Sequence, residues 1–153
     1  MPNVEAVWKV GREQPVVRTP GYTRRVNAFI TLIWPSRRIV WNVFKRRRNV
    51  EFRRHLSNVM ACAKRHRLRR VIMFFDQATY HRTAEVKRFI KGHRSMLTAK
   101  LLGKKDPNSN PAECLVNRRL NSAICVNRCH ASVDAMKRSA RGFLRKYNSI
   151  YAT

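Results

Sequence analysis

Acidic side chains are scarce in this 153-residue chain: eight Asp and Glu stand against 34 Lys and Arg, a formal net charge of +26. A surface this one-sided calls for a polyanionic partner, whose phosphates offset its self-repulsion. Nucleic acid fits best, and a membrane surface is the weaker alternative. Long apolar runs are missing as well. No stretch reaches the roughly 18 residues of a bilayer span, so no membrane-embedded role is expected. The start of the chain, Met1-Pro2-Asn3-Val4-Glu5, lacks the basic-then-apolar layout of a secretory leader. The four cysteines, Cys62, Cys114, Cys125 and Cys129, are therefore expected as reduced thiols in a cytoplasmic protein, placed at the nucleoid only if its polyanionic partner is DNA. Cys125, Cys129 and His130 lack the spacing of the common zinc modules and a visible fourth ligand, so packing is the expected role. Internal repeats and low-complexity linkers are absent too. With 44% hydrophobic residues, residues 1–153 read as a single packed domain.

Scarcity makes the position of each acid informative. The apolar run Val71-Ile72-Met73-Phe74-Phe75 ends at Asp76. A carboxylate at the end of a buried strand costs desolvation energy unless it is paired or binds a cation. A second acid, Glu113, follows in Asn110-Pro111-Ala112-Glu113. Two such carboxylates can hold Mg²⁺, which takes hard oxygen ligands, and this is the skeleton of a metal-dependent phosphoryl-transfer site. Each acid also has a plainer reading. Asp76 could cap a helix or pair with one of the many arginines, and Glu113 could complement a helix dipole. His81 reads more readily as a packing histidine than as a ligand, and Asp106 as turn chemistry. The clusters Arg46-Arg47-Arg48 and Lys64-Arg65-His66-Arg67 with Arg69-Arg70 are candidates for phosphate contact.

A candidate strand covers Val4–Val10. Val26–Trp34 and Ile39–Phe44, rich in β-branched and aromatic residues and separated by Pro35-Ser36-Arg37, read as a hairpin. In the second of these strands Val40, Asn42 and Phe44 alternate with Ile39, Trp41 and Val43, which suits packing on both faces. Phe52, Leu56, Val59, Met60 and Ala63 recur at helical spacing through about Lys64, with Asn49 as the expected cap. A strand over Arg69–Phe75, a helix from Thr83 to about Lys91 and a strand over Met96–Leu102 follow. Gly103–Pro111 reads as a loop. Two helices, near Pro111–Ser122 and Ser132–Asn148, complete the chain. The order predicts an α/β fold, a mixed sheet flanked by helices, with its site at the carboxyl ends of strands.

The hairpin, the segment Asp76-Gln77-Ala78-Thr79-Tyr80-His81, the segment Asn110-Pro111-Ala112-Glu113 and the tail from Cys125 to Lys146 together resemble DDE transposases of the mariner superfamily. The likeness is strongest to their prokaryotic insertion-sequence branch and covers most of residues 20–147. It implies a ribonuclease-H-like fold and an acid triad that uses Mg²⁺ or Mn²⁺ to cleave and join DNA strands. Asp76 matches the second acid and Glu113 the third. The first, an Asp commonly followed by Glu, falls at Val4-Glu5, so Val4 stands where the Asp belongs and Glu5 is the nearest substitute. The resemblance further implies DNA as partner and a homodimer on transposon ends. The N-terminal helix-turn-helix region of the family has no counterpart here. The expectation is therefore a catalytic domain cut near its first acid and inactive in this chain. The alternative is a non-catalytic basic nucleic-acid-binding protein.

Overall fold

The computed structural model of the chain describes residues 25–103, 110–126 and 128–151. Strand β1 (Asn27–Leu32) pairs antiparallel with β2 (Ile39–Phe44), in register from Asn27 opposite Phe44 to Leu32 opposite Ile39. β1 is shorter than the apolar run that predicts it, because the chain leaves the ladder for the turn around Pro35, closed by Ile33 N–H donating to Arg38 O. Alternate residues of a strand face opposite sides, and both faces of this hairpin are covered. Phe29 and Phe44 belong to one core; Ala28, Ile30, Leu32, Trp41 and Val43 pack into a second.

Helix α1 (Asn49–Arg65) forms beneath the hairpin and buries Phe52, Leu56, Val59, Met60 and Ala63, the residues whose spacing predicts it. The capping is different from expectation. Arg48 is the N-cap, without a side-chain cap bond, and Asn49 is the first helical residue. Glu51 in the first turn pairs with Arg48 at 2.6 Å, and its charge complements the helix dipole. Asn49 instead donates to Glu85 Oε2 at 3.1 Å.

Strand β3 (Val71–Phe75) pairs parallel with β4 (Leu97–Leu101), Val71 opposite Leu97 through Phe75 opposite Leu101. Parallel neighbours need a crossover, supplied by α2 (Ala84–Gly92), whose cap Thr83 accepts from Val86 N–H. Phe29, Phe52, Leu56, Met60, Met73, Phe75, Val86 and Leu97 form the first core, between these helices and both strand pairs. The expected helix from Pro111 is longer and less regular than its pattern suggests. A π-helical turn, Glu113–Asn117, runs into α3 (Arg118–Cys125). Helix α4 (Val133–Ile150) follows, capped by Ser132 accepting from Ala135 N–H at 3.1 Å. Val116, Leu120 and Ile124 meet Ala140, Leu144, Tyr147 and Ile39 in the second core. Asn148 fastens α4 to the start of β2, accepting from Ile39 N–H and donating to Ile39 O, both at 2.8 Å.

The result is mixed α/β, with helices on both faces of the hairpin. Among the described residues the strands form two separate pairs, β1–β2 and β3–β4, not the single sheet expected. The candidate strand Val4–Val10, with Glu5, lies outside the described residues, as does Asp106.

Candidate active site

β1 and β3 flank the same helix. The Phe52 ring of α1 stands 5.8 Å from Phe29 of β1 and 5.8 Å from Phe75 of β3. The described residues alone outline a cleft of about 1250 Å³ between β1 and β3. Asp76, at the carboxyl end of β3, and Glu113, opening the π turn, both line this cleft, as do Arg47, Tyr80, His81 and Asn117.

The backbone leaves β3 at Asp76 and enters a short 3₁₀ turn, Thr79–His81. Asp76 Oδ1 accepts from Ala78 N–H at 2.9 Å and lies 2.8 Å from His81 Nδ1. His81 is buried, with its ring 4.1 Å from that of Phe52 and 4.3 Å from that of Tyr80. Burial pulls its pKa below the ordinary value and outweighs the opposing pull of Asp76. His81 Nδ1 donates to the backbone O of Asp76 at 3.0 Å, with the carboxylate Oδ1 alongside. The Asp76 side chain stays 51% exposed, open to the cleft. Among the described residues its charged-group contact is His81, and its bond from Ala78 N–H, at the head of the 3₁₀ turn, fits the plainer reading of Asp76 as a cap.

Glu113 is set by its own turn. Asn110 O accepts from the N–H groups of Glu113 and Cys114, and Asn110 Oδ1 accepts from Ala112 N–H at 3.2 Å. Asn117 Nδ2 then donates to Glu113 Oε2 at 2.6 Å, fixing the carboxylate. Both acids thus have one oxygen held by a neutral donor. Carboxylates of this kind are hard oxygen ligands that suit a divalent cation. No group of three or more potential ligands occurs among the described residues, so any third carboxylate, Glu5 included, must come from outside them.

Sequence reasoning missed three features. Asn117 lies four residues beyond Glu113, a helical spacing that could have flagged it. His81 is the packing histidine expected, against Phe52, Phe75 and Tyr80, but its Nδ1 also holds Asp76. Arg47 donates from Nε to the Tyr80 hydroxyl at 2.8 Å, a tertiary contact with no local signature. Zinc is not supported at Cys125, Cys129 and His130: His130 Nε2 donates to Ile124 O at 2.7 Å, and Cys129 is exposed.

Residues 2–137 match the DDE superfamily endonuclease family. No curated protein matches the chain. Among solved structures, the chain is similar to a Mos1 transposase paired-end complex with left transposon end, with TM-score 0.63 and 14% identity. A Mos1 strand transfer complex and a Mos1 mariner paired-end complex with Mn are similar at TM-score 0.64, each with 14% identity. In every case the match covers 99% of this chain and 50% of the other, so this chain spans half the length of those proteins. At that identity the likeness is one of fold.

Proposed function

This chain belongs to the DDE superfamily endonuclease family, and we propose that it carries the metal-dependent strand cleavage and joining of DNA transposition, with Asp76 and Glu113 as metal ligands. The placement of Asp76 at the carboxyl end of β3 and of Glu113 at the π turn, each with one carboxylate oxygen held by a neutral donor, carries the reading. Bound Mg²⁺ or Mn²⁺ supplies an activated water or 3′-hydroxyl and charge stabilisation at the phosphodiester. His81 holds the backbone of Asp76, and Asn117 holds the carboxylate of Glu113. Glu5 is the proposed third acid. With Val4 at the first-acid position, metal affinity is expected to be weak and cleavage of transposon ends slight.

The ribonuclease-H-like classification belongs to the same proposal. Among the described residues β1 pairs only with β2, and β3 only with β4. One further strand between β1 and β3 would join the pairs into a single mixed sheet. The partner is DNA, bound through the basic surface, with a homodimer acting on two ends and the nucleoid as the setting. No helix among the described residues is long and apolar enough to cross a membrane.

Mn²⁺ titration tests the reading on four chains: the parent, Asp76→Ala, Val4→Asp, and Val4→Asp with Asp76→Ala. Weak binding by the parent, tighter binding by Val4→Asp and loss in both Asp76→Ala chains are expected, since each carboxylate adds a hard ligand. Binding that ignores Asp76 would overturn the site. It would leave the basic, non-catalytic nucleic-acid-binding reading.

A further inference from the structure

The 3₁₀ turn that supports Asp76 through His81 also supports a cation. Tyr80, the preceding residue, is wedged among aromatic rings, 5.8 Å from Phe29 and 5.9 Å from Phe52. Its hydroxyl points outward and accepts from Arg47 Nε at 2.8 Å, and the Arg47 guanidinium carbon is 5.0 Å from the Tyr80 ring centre. Arg47 is exposed, yet it is tied to a rigid post at one nitrogen. Its neighbour Arg48 is neutralised by Glu51. Among the described residues no carboxylate lies within ion-pair distance of Arg47. Among the described residues its partner is a neutral phenol and no acid compensates its charge.

A guanidinium held at Nε keeps both terminal nitrogens for an incoming group, and that fork matches two phosphate oxygens. The turn that carries Tyr80 follows Asp76 directly and ends at His81, whose Nδ1 lies 2.8 Å from Asp76 Oδ1, so Arg47 is tied to the same turn as that acid. We propose that Arg47, positioned by Tyr80, binds a backbone phosphate of the DNA strand lying at the acid pair. The cation and the acids then act on one stretch of backbone, because a single turn sets both. This deepens the proposed function and rests on it for the identity of the strand. Arg47 is a binding residue here, and Tyr80 a positioning residue acting through it.

The experiment measures binding of a fluorescent 30-base-pair duplex by anisotropy between about 50 and 200 mM NaCl, without metal. Arg47→Ala is expected to reduce the log–log salt slope by about 0.9, the value for one phosphate contact. Arg47→Lys should keep the slope and weaken binding, because it loses the fork. Tyr80→Phe should weaken binding in the parent and have no effect in Arg47→Ala. In Arg46→Ala, Tyr80→Phe should keep its full effect. Asp76→Asn removes a repulsive charge and should tighten binding in the parent, and by less in Arg47→Ala. An unchanged slope in Arg47→Ala, an equal Tyr80→Phe effect with and without Arg47, or an equal Asp76→Asn effect in both backgrounds would overturn the proposal. Failure of the metal titration alone would instead sink the catalytic reading and leave the phosphate site standing.

Discussion

His55 offers a quantitative test of the fold through pH. It sits on the buried face of α1, 1% exposed, bridging both strands of the hairpin. Asn42 Oδ1 of β2 is 2.8 Å from Nδ1, and Thr31 Oγ1 of β1 is 2.9 Å from Nε2. With Asn42 accepting, Nδ1 carries the proton, and Nε2 accepts from the Thr31 hydroxyl. A second proton would break the Thr31 bond and place a charge in the core. Burial, with a smaller contribution from nearby His81, lowers the pKa from the ordinary 6.5 to about 4. The unfolded chain takes up this proton near its ordinary pKa, and the folded chain does not. The stability is present above pH 6.5 and is lost as pH falls towards 4. Linkage between those two values gives a loss of about 2 kcal/mol by pH 5 and about 3 by pH 4, at up to about 1.4 kcal/mol per pH unit.

The measurement is urea unfolding followed by circular dichroism, on the parent and on His55→Gln, from pH 7.5 to 5. This window lies above the carboxylates, and Glu51, Glu85 and Asp134 are held below their ordinary values. His81 is depressed in the same sense, so the variant keeps part of the slope. The difference between the two chains isolates His55 and should shrink by about 2 kcal/mol across the window. A difference that does not change with pH would mean that His55 is accessible to protons in the fold, and the bridging geometry would be wrong.

Other outcomes follow from the same structure. Asn148→Ala removes both bonds to Ile39 and leaves a half-buried backbone pair to find new partners; denaturant unfolding should show a loss of about 2 kcal/mol. Phe52→Ala empties the ring space between Phe29 and Phe75 and should cost about 3–5 kcal/mol, read from the same unfolding curves. His81→Phe keeps the packing against Phe52 and removes the Nδ1 that holds the Asp76 backbone and lies beside its carboxylate; calorimetric Mn²⁺ titration should show affinity lower by about 10- to 100-fold. DNA binding should be weakly sequence-selective, with a log–log salt slope near −5 if about six phosphates are engaged, and a salt-independent affinity would contradict it.

Much of this architecture was legible because it is periodic. Alternation in Ile39–Phe44 put Asn42 and Phe44 on one face and Trp41 and Val43 on the other, and the two cores divide them that way. The stripe from Phe52 to Ala63 placed α1 almost to the residue. Asp76 stood out for another reason: in a chain with eight acids, a carboxylate closing an apolar strand is conspicuous. Periodicity fails where winding changes. The π turn at Glu113–Asn117 follows an ordinary helical pattern in sequence, because nothing in residue spacing distinguishes an i→i+5 bond from i→i+4. It also fails for polar contacts between elements. His55 interrupts the apolar stripe of α1 and has a meaning only once Thr31 and Asn42 face it. Arg47 and Tyr80 are 33 residues apart, and each looks ordinary in its own segment. The 34 basic residues are therefore equivalent in composition but not in space. A lysine or arginine on a free surface spends most of its time in water and contributes a diffuse field, whereas one fixed to a buried aromatic post loses little further freedom when a phosphate arrives. That difference separates Arg47 from the rest of its basic run, and only the packing of β1, α1 and the turn after Asp76 could reveal it.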